Sequence, residues 1–593
     1  MTGISGAISP AREFQVLKDV MVPMRDGVLL ATDLWLPRGA DPGAALLVRL
    51  PYGKDNLAII VDSVFPNLWE LLNAGYAVVV QDCRGTFRSE GEFIPMINEP
   101  RDGVDTINWI RQQSWCDGKV GMFGASYLGL VQWASAGEGS DGPQAIAPAL
   151  ASVDYFEAPW YSEGGAMSWH AALYWSTLMA VNNAHRAVTS AADGALEKMG
   201  AGVEMIDNFE SHMEAMPAGN KPLLEAATSW WANWLAHPSR DDYWRKLAVG
   251  ERLDTVTTPA LHIGGWFDPF VNNTLKAYQR IKTARNDIEA RDGQQLIVGP
   301  WAHGGDEGFT GTYRERQFGM AAYFEAVDIT GAHIRFFDRW LRGRTDALDG
   351  SAPVRIFVMG IDQWRDEQDW PLPDTQYIPY YLDSLGHANT ADGDGRLHTE
   401  PPTRDRIDVF EYNPLDPVRT VGGRLLKNHK GHGPVDQRAN EARDDVLCFT
   451  TDVLEQPIEV TGHLTLVLHV SSSALDTDFT GKLVDVFPDG RAFYLTDGIM
   501  RARYRNSTAD PELLNPGQVY ELTLDLSVTS NVFLAGHRIR LEVSSSDFPR
   551  YDRNTNTGGL ISANTADEAI IATNRVLHGP EHPSRLILPI IHR

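Results

Sequence analysis

The sequence predicts an α/β fold with a helical insertion and a carboxyl-terminal all-β sandwich of jelly-roll type. Three observations carry this. Continuous apolar runs such as Ala45-Leu46-Leu47-Val48 and Tyr76-Ala77-Val78-Val79-Val80 alternate with helical stretches in the first part of the chain, the pattern of parallel strands buried on both faces. Residues 154–249 lack such runs and carry tryptophans at helical spacing. Beyond about residue 370, period-two alternation takes over.

In chain order, a helix carrying Val104, Ile107 and Ile110 on one face follows the second apolar run, and Lys119-Val120-Gly121-Met122-Phe123 reads as the next strand. The tryptophan-rich segment includes Trp160, Trp169, Trp175, Trp230, Trp231, Trp234 and Trp244. Sheet pattern resumes at Ala260-Leu261-His262-Ile263-Gly264 and Gln295-Leu296-Ile297-Val298-Gly299, so the insertion splits one α/β domain and is expected to lie over its strand ends as a cap, or else to be an ordinary packing layer. Alternation at Leu464, Leu466, Leu468, Val470 and again at Leu522, Leu524, Leu526, punctuated by turns such as Pro488-Asp489-Gly490, marks the sandwich. A chain of 593 residues exceeds what one core serves, and the expected division is 1–153, 154–249, 250–370 and 371–593.

Composition narrows the function. The formal charge is −26, with no Lys/Arg cluster to follow a phosphate backbone, so neither nucleic acid nor an anionic membrane is an expected partner. Cys83, Cys116 and Cys448 are widely spaced and form no disulfide framework or CxxC pair. With a start that lacks a signal-peptide pattern and no apolar run of about 18 residues, the expectation is a cytoplasmic protein.

The chemistry centres on Gly124-Ala125-Ser126-Tyr127-Leu128-Gly129, between a strand and a helix. Strand, small residue, serine, helix is the order of a nucleophile elbow, which exposes a weakly nucleophilic hydroxyl beside a base and free backbone N–H groups. The second glycine of the usual GxSxG pattern is displaced by one residue, and a turn whose serine merely caps the helix fits the hexamer too. What separates the two readings is a base. An α/β-hydrolase places an acid and then a histidine beyond later strands. Gly265-Trp266-Phe267-Asp268 follows one resumed strand, and Gly299-Pro300-Trp301-Ala302-His303 follows the next.

Tyr52, at another strand end, is placed to donate to an oxyanion together with the Tyr127 N–H, or else is an aromatic buried by the cap. Asp82-Cys83-Arg84-Gly85 reads as a local ion-paired turn that supports the site. No HExxH, clustered Cys/His, GxGxxG after a strand or Walker loop is present, so no metal or nucleotide cofactor is implied.

These motifs resemble the Xaa-Pro dipeptidyl-peptidase-like α/β-hydrolases. The resemblance rests on Pro51-Tyr52, Gln81-Asp82-Cys83-Arg84-Gly85, the GxSYxG elbow, Gly265-Trp266-Phe267-Asp268 and Trp301-Ala302-His303-Gly304, and extends to Ala474-Leu475-Asp476-Thr477-Asp478-Phe479 in the sandwich. It implies a cofactor-independent serine carboxylesterase with Ser126 as nucleophile, His303 as general base then acid, Asp268 as its orienter, and Tyr52 and Tyr127 as oxyanion donors. It further implies an acyl pocket for a bulky or aromatic group at Trp160, Trp175, Leu178, Phe270 and Leu426. Lys427 departs from the aromatic residue that esterases of this kind carry there. Family members that bind an α-ammonium have carboxylates two and three residues after the triad acid, where this chain has Phe270 and Val271, so amino-acid esters are disfavoured. The expected partner is a small-molecule ester, and the resemblance admits a homodimer. The rival readings are amide hydrolysis, as an acylase or dipeptidyl peptidase, and a non-catalytic binding protein using the sandwich.

Overall fold

The computed structural model describes residues 13–39, 41–56, 66–283, 291–304, 308–426 and 431–593. Its first sheet comprises β1 (Phe14–Pro23), β2 (Leu29–Pro37), β3 (Gly43–Leu50), β4 (Ala77–Asp82), β5 (Cys116–Ala125), β6 (Ala145–Ala149), β7 (Ala260–Phe267), β8 (Gln294–Ala302), β9 (Val354–Val358) and β10 (Gln363–Glu367). Their order is β1-β2-β4-β3-β5-β6-β7-β8-β9-β10. From β4 to β9 every pairing is parallel, whereas β1, β2 and β10 attach antiparallel at the edges. The central strands read as unbroken apolar runs because helices cover both faces: all six residues of β4 and all five of β6 are buried. Parallel pairing also brings the carboxyl ends of β3, β5, β7 and β8 to one edge, where ligands of such sheets bind.

The helix Glu99–Arg111 buries Val104, Ile107 and Ile110, the face expected from its spacing. Between β6 and β7 the named elements are all helical among the described residues, from Phe156–Trp160 to Val249–Thr255. The tryptophans of this segment are interior: Trp160, Trp169, Trp230, Trp231, Trp234 and Trp244 are each no more than 2% exposed. They join the sheet residues in one apolar cluster that also contains Val48, Tyr127 and Trp133.

The carboxyl-terminal strands form an eleven-stranded assembly that is antiparallel apart from the short contact of Arg396 with Thr450. Ile458–Ser472 pairs with Tyr520–Phe533, and the alternating leucines Leu464, Leu466, Leu468, Leu522, Leu524 and Leu526 are all fully buried. They share a second apolar cluster with Leu296, Val298 and Ile356 of β8 and β9. The sheet and the carboxyl-terminal strands thus have a core in common, which holds the end of β7 against residues more than a hundred positions later.

Candidate active site

Ser126 sits between the end of β5 and the helix Tyr127–Ala136 with φ 59° and ψ −128°. A positive φ is strained for any residue with a Cβ and persists only where the surroundings hold it. Here the Ser126 N–H donates to Ala149 O of β6 at 2.9 Å, and the Ser126 carbonyl accepts from Gly129 and Leu130 at 2.8 and 3.0 Å. Gln132, fully buried, donates to Gly124 O and Leu128 O and accepts from Ala147 N–H, bracing the turn from inside. The displaced glycine now has a reason. A Cβ on Gly129 would lie 2.4 Å from Ala151 Cβ, so the close approach of helix to strand end falls at Gly129, and Leu128 is free to be a buried leucine.

Asp268 and His303 follow β7 and β8 directly. His303 Nε2 is 2.9 Å from Ser126 Oγ, and His303 Nδ1 is 2.6 Å from Asp268 Oδ1. Asp268 is fully buried, and its other oxygen accepts the Phe270 N–H at 3.2 Å. Burial pushes the Asp268 carboxyl above its ordinary value, while His303, the Phe270 N–H and Arg424 pull it back. A carboxylate on Nδ1 fixes the imidazole tautomer so that Nε2 faces the serine as a proton acceptor. The arrangement can therefore activate a hydroxyl for attack on a carbonyl carbon.

The two residues expected as oxyanion donors, Tyr127 and Tyr52, lie next to Ser126, one in sequence and one in space. Tyr127 is the first residue of its helix, so its N–H has no intrahelical acceptor. Its side chain is engaged elsewhere: Tyr127 Oη donates to Glu99 at 3.0 Å and accepts the Met96 N–H, and Glu99 in turn pairs with buried Arg49 at 2.7 Å. The Tyr52 hydroxyl neighbours Ser126 and is kept protonated because burial raises it above the ordinary phenol range. Trp175 Nε1 donates to Tyr52 Oη at 3.0 Å, which occupies an acceptor position and leaves the phenolic proton for a second partner.

Of the residues expected at an acyl pocket, several come together. Trp175 stacks on Tyr127 at 5.9 Å and meets Trp160 at 5.2 Å, and Trp160 packs closely on Trp234 at 4.1 Å. The Phe270 ring lies 4.9 Å from the His303 imidazole. Leu426 packs, partly buried, on the same apolar cluster as Trp160 and Trp175. Leu178 is half-buried on the helix Trp169–Thr189, with no described contact to the triad. Lys427 lies outside the described residues.

The expected ion-paired turn at Asp82 takes a different form. Arg84 pairs with Asp102 and Asp26, at 2.6 and 2.8 Å, not with Asp82. Asp82 instead accepts the Lys54 N–H at 2.6 Å and, at 3.5 Å, the Arg88 N–H, tying the loop that carries Tyr52 to the one that follows β4. The carboxylate is thus consumed by main-chain donors on two loops. Sequence reading also missed Arg424. It is 3% exposed, donates to Trp266 O at 3.1 Å and to Val528 O at 2.8 Å, and so clamps the end of β7 to the carboxyl-terminal strands. A buried arginine in a β-rich segment has no local pattern by which its carbonyl partners could be named.

Residues 26–305 match the X-Pro dipeptidyl-peptidase (S15 family) pattern, and residues 346–587 match the X-Pro dipeptidyl-peptidase C-terminal non-catalytic domain. The chain is 48% identical to the cocaine esterase of Rhodococcus sp. (strain MB1 Bresler), over 98% of this chain and 99% of that one. Among solved structures it resembles an aminopeptidase from a marine sediment archaeon (Thaumarchaeota archaeon), with TM-score 0.80, 25% identity and coverage of 100% and 99% of the two chains. An α-amino acid ester hydrolase superposes with TM-score 0.78 at 23% identity over both whole chains, a likeness of fold. With near-complete coverage at that identity to the Rhodococcus protein, and a hydroxyl, imidazole and carboxylate aligned at its strand ends, the chain belongs to the X-Pro dipeptidyl-peptidase (S15) family and is a serine hydrolase.

Proposed function

We propose that this protein hydrolyses carboxylic esters with a bulky or aromatic acyl group through an acyl-enzyme on Ser126. The observation that carries the reading is the continuous chain Ser126 Oγ, His303 Nε2, His303 Nδ1, Asp268 Oδ1, with links of 2.9 and 2.6 Å. His303 takes the hydroxyl proton as Oγ bonds to the ester carbon, and the carbonyl electron pair moves to oxygen. The Tyr52 hydroxyl and Tyr127 N–H receive that oxyanion. Collapse breaks the bond to the alkoxide, which leaves with the proton from His303; water then repeats the sequence and frees the acid. Trp160, Trp175, Phe270 and Leu426 would hold the acyl group. Cocaine, named for the Rhodococcus relative, belongs in the substrate panel.

The test is a set of chromogenic esters graded in acyl size, run on the wild type and Ser126→Ala. Loss of roughly 10⁶ in kcat is expected for the variant; turnover near wild type would remove Ser126 from the mechanism. The family pattern and the aminopeptidase neighbour favour amide hydrolysis as the second reading, and matched ester and amide substrates with one acyl group separate the two.

The divisions at 153, 249 and 370 are supported by the helical run between β6 and β7 and by the change to antiparallel strands after β10. No helix among the described residues is long and apolar enough to cross a membrane, and all three cysteines are buried and unpaired, which supports a reducing, cytoplasmic setting. A homodimer is testable by light scattering.

A further inference from the structure

Where the first sheet meets the carboxyl-terminal strands, away from Ser126, there is a cavity of about 170 Å³. Phe318 and Met359 line one side, and Phe493 and Leu495 of the strand Ala492–Arg501, with Phe487 and Leu534 from turns just past two other strands, line the opposite side. An apolar cavity of about 150 Å³ accommodates benzene, so this one has room for a single aromatic ring with a small substituent.

The polar groups at its edge restrict the ligand further. Arg316 lines the cavity, but its Nη2 donates to both carboxylate oxygens of Asp362, at 2.8 and 2.7 Å, and the guanidinium lies over the Phe318 ring at 4.6 Å. His537 also lines it, with Nδ1 on Asp485 Oδ1 at 2.8 Å and its ring 4.4 Å from Phe487. The Arg316 charge is thus matched by Asp362 and the Asp485 carboxylate is already hydrogen-bonded by His537, so an ionic ligand would be desolvated with no free partner group. A neutral ligand avoids that cost. The Asp485 contact assigns the proton to His537 Nδ1 and leaves Nε2 as an acceptor.

We propose that this cavity is a second binding site, distinct from the Ser126 site, for a neutral single-ring aromatic carrying one hydroxyl group, a phenol. The ring packs among Phe318, Phe487 and Phe493, and the hydroxyl is directed to His537 Nε2. Phe318 stacks on Phe267 at 6.2 Å, and Phe267 precedes Asp268, so the occupied site adjoins the strand that carries the triad acid. The proposal does not depend on the ester reading, although an aryl ester would release this class of molecule.

The test uses the full chain with its serine site blocked by a fluorophosphonate, blocking being verified by mass. 4-Fluorophenol is titrated and followed by ¹⁹F NMR. Saturable binding of one molecule per chain is expected, weakened at least about tenfold by Leu534→Trp and by Met359→Trp, which fill the cavity from opposite sides. Absence of saturable binding to the blocked wild type, or an unchanged Kd in a folded filling variant, overturns the proposal. A crystal soaked with the same phenol gives a readout that needs no variant: a ring between Phe318 and Phe493 supports the site, and a ring found only beside Ser126 overturns it. Failure of the fluorophosphonate to label would count against the serine mechanism alone, and the soaked crystal would still decide the cavity.

Discussion

Trp175 donates its indole N–H to Tyr52 Oη at 3.0 Å, which joins a wall of the proposed acyl site and the proposed oxyanion donor in one hydrogen-bonded unit. Removing that N–H with Trp175→Phe keeps an aromatic wall but frees the phenol to rotate. Expected is a fall in kcat of about tenfold with a small change in KM, against roughly 10²–10³ for Tyr52→Phe. The double variant should be no slower than Tyr52→Phe, because the indole acts through the phenol. Additive losses in steady-state kinetics would show that Trp175 works independently of Tyr52.

Asp268→Asn retains the shape of the buried acid and removes its charge, so the imidazole loses the partner that selects its tautomer. A kcat lower by roughly 10³–10⁴ is expected, with Ser126 still slowly labelled by a fluorophosphonate.

Gly129 packs against the end of β6, where an added Cβ would lie 2.4 Å from Ala151 Cβ. Gly129→Ala should destabilise the chain by about 1–3 kcal/mol and displace the Ser126 turn. Ala151→Gly in the same chain removes the clashing atom and should restore much of the loss in both urea midpoint and turnover. No rescue would place the strain elsewhere in the turn.

Asp82 gives a pH signature. Burial raises its pKa to about 7, opposed by the Lys54 and Arg88 amides and the Lys54 charge, with Asp55 acting in the same direction as burial. Between its unfolded value near 4 and about 7, the folded chain holds a proton that the unfolded chain has released. This contribution to stability therefore falls as pH rises through that window and levels off above it. Asp82→Asn keeps an oxygen for the Lys54 N–H and cannot ionise, so its urea midpoint should gain on the wild type from pH 4 to 7 and run parallel above.

The strand ends were legible because each is a short apolar run closed by a glycine-rich turn, and Ser126, Asp268 and His303 are the side chains immediately beyond. The antiparallel edges were not: β1 mixes Lys18 and Asp19 with apolar residues and is mostly exposed on one side, so it carries neither the continuous nor the clean alternating pattern. Asp82 misled because an Arg two residues away is the simplest partner by sequence, whereas its carboxylate meets amides at positions 54 and 88. The bond between Trp175 and Tyr52 joins residues 123 positions apart, and no periodicity in either segment encodes it.

Arg424 and Leu426 reach the site from the last third of the chain, one gripping the carbonyl two residues before Asp268 and the other bordering the acyl cluster. One wall of the proposed acyl site, Leu426, and the Arg424 brace behind the triad acid thus come from a different stretch of gene than Ser126, Trp160, Trp175 and Phe270. A chimera that takes a relative's sequence from about residue 371 onward should retain the same reactive serine while exchanging that one wall, provided the incoming strands keep the shared core and the Arg424 contact with Trp266.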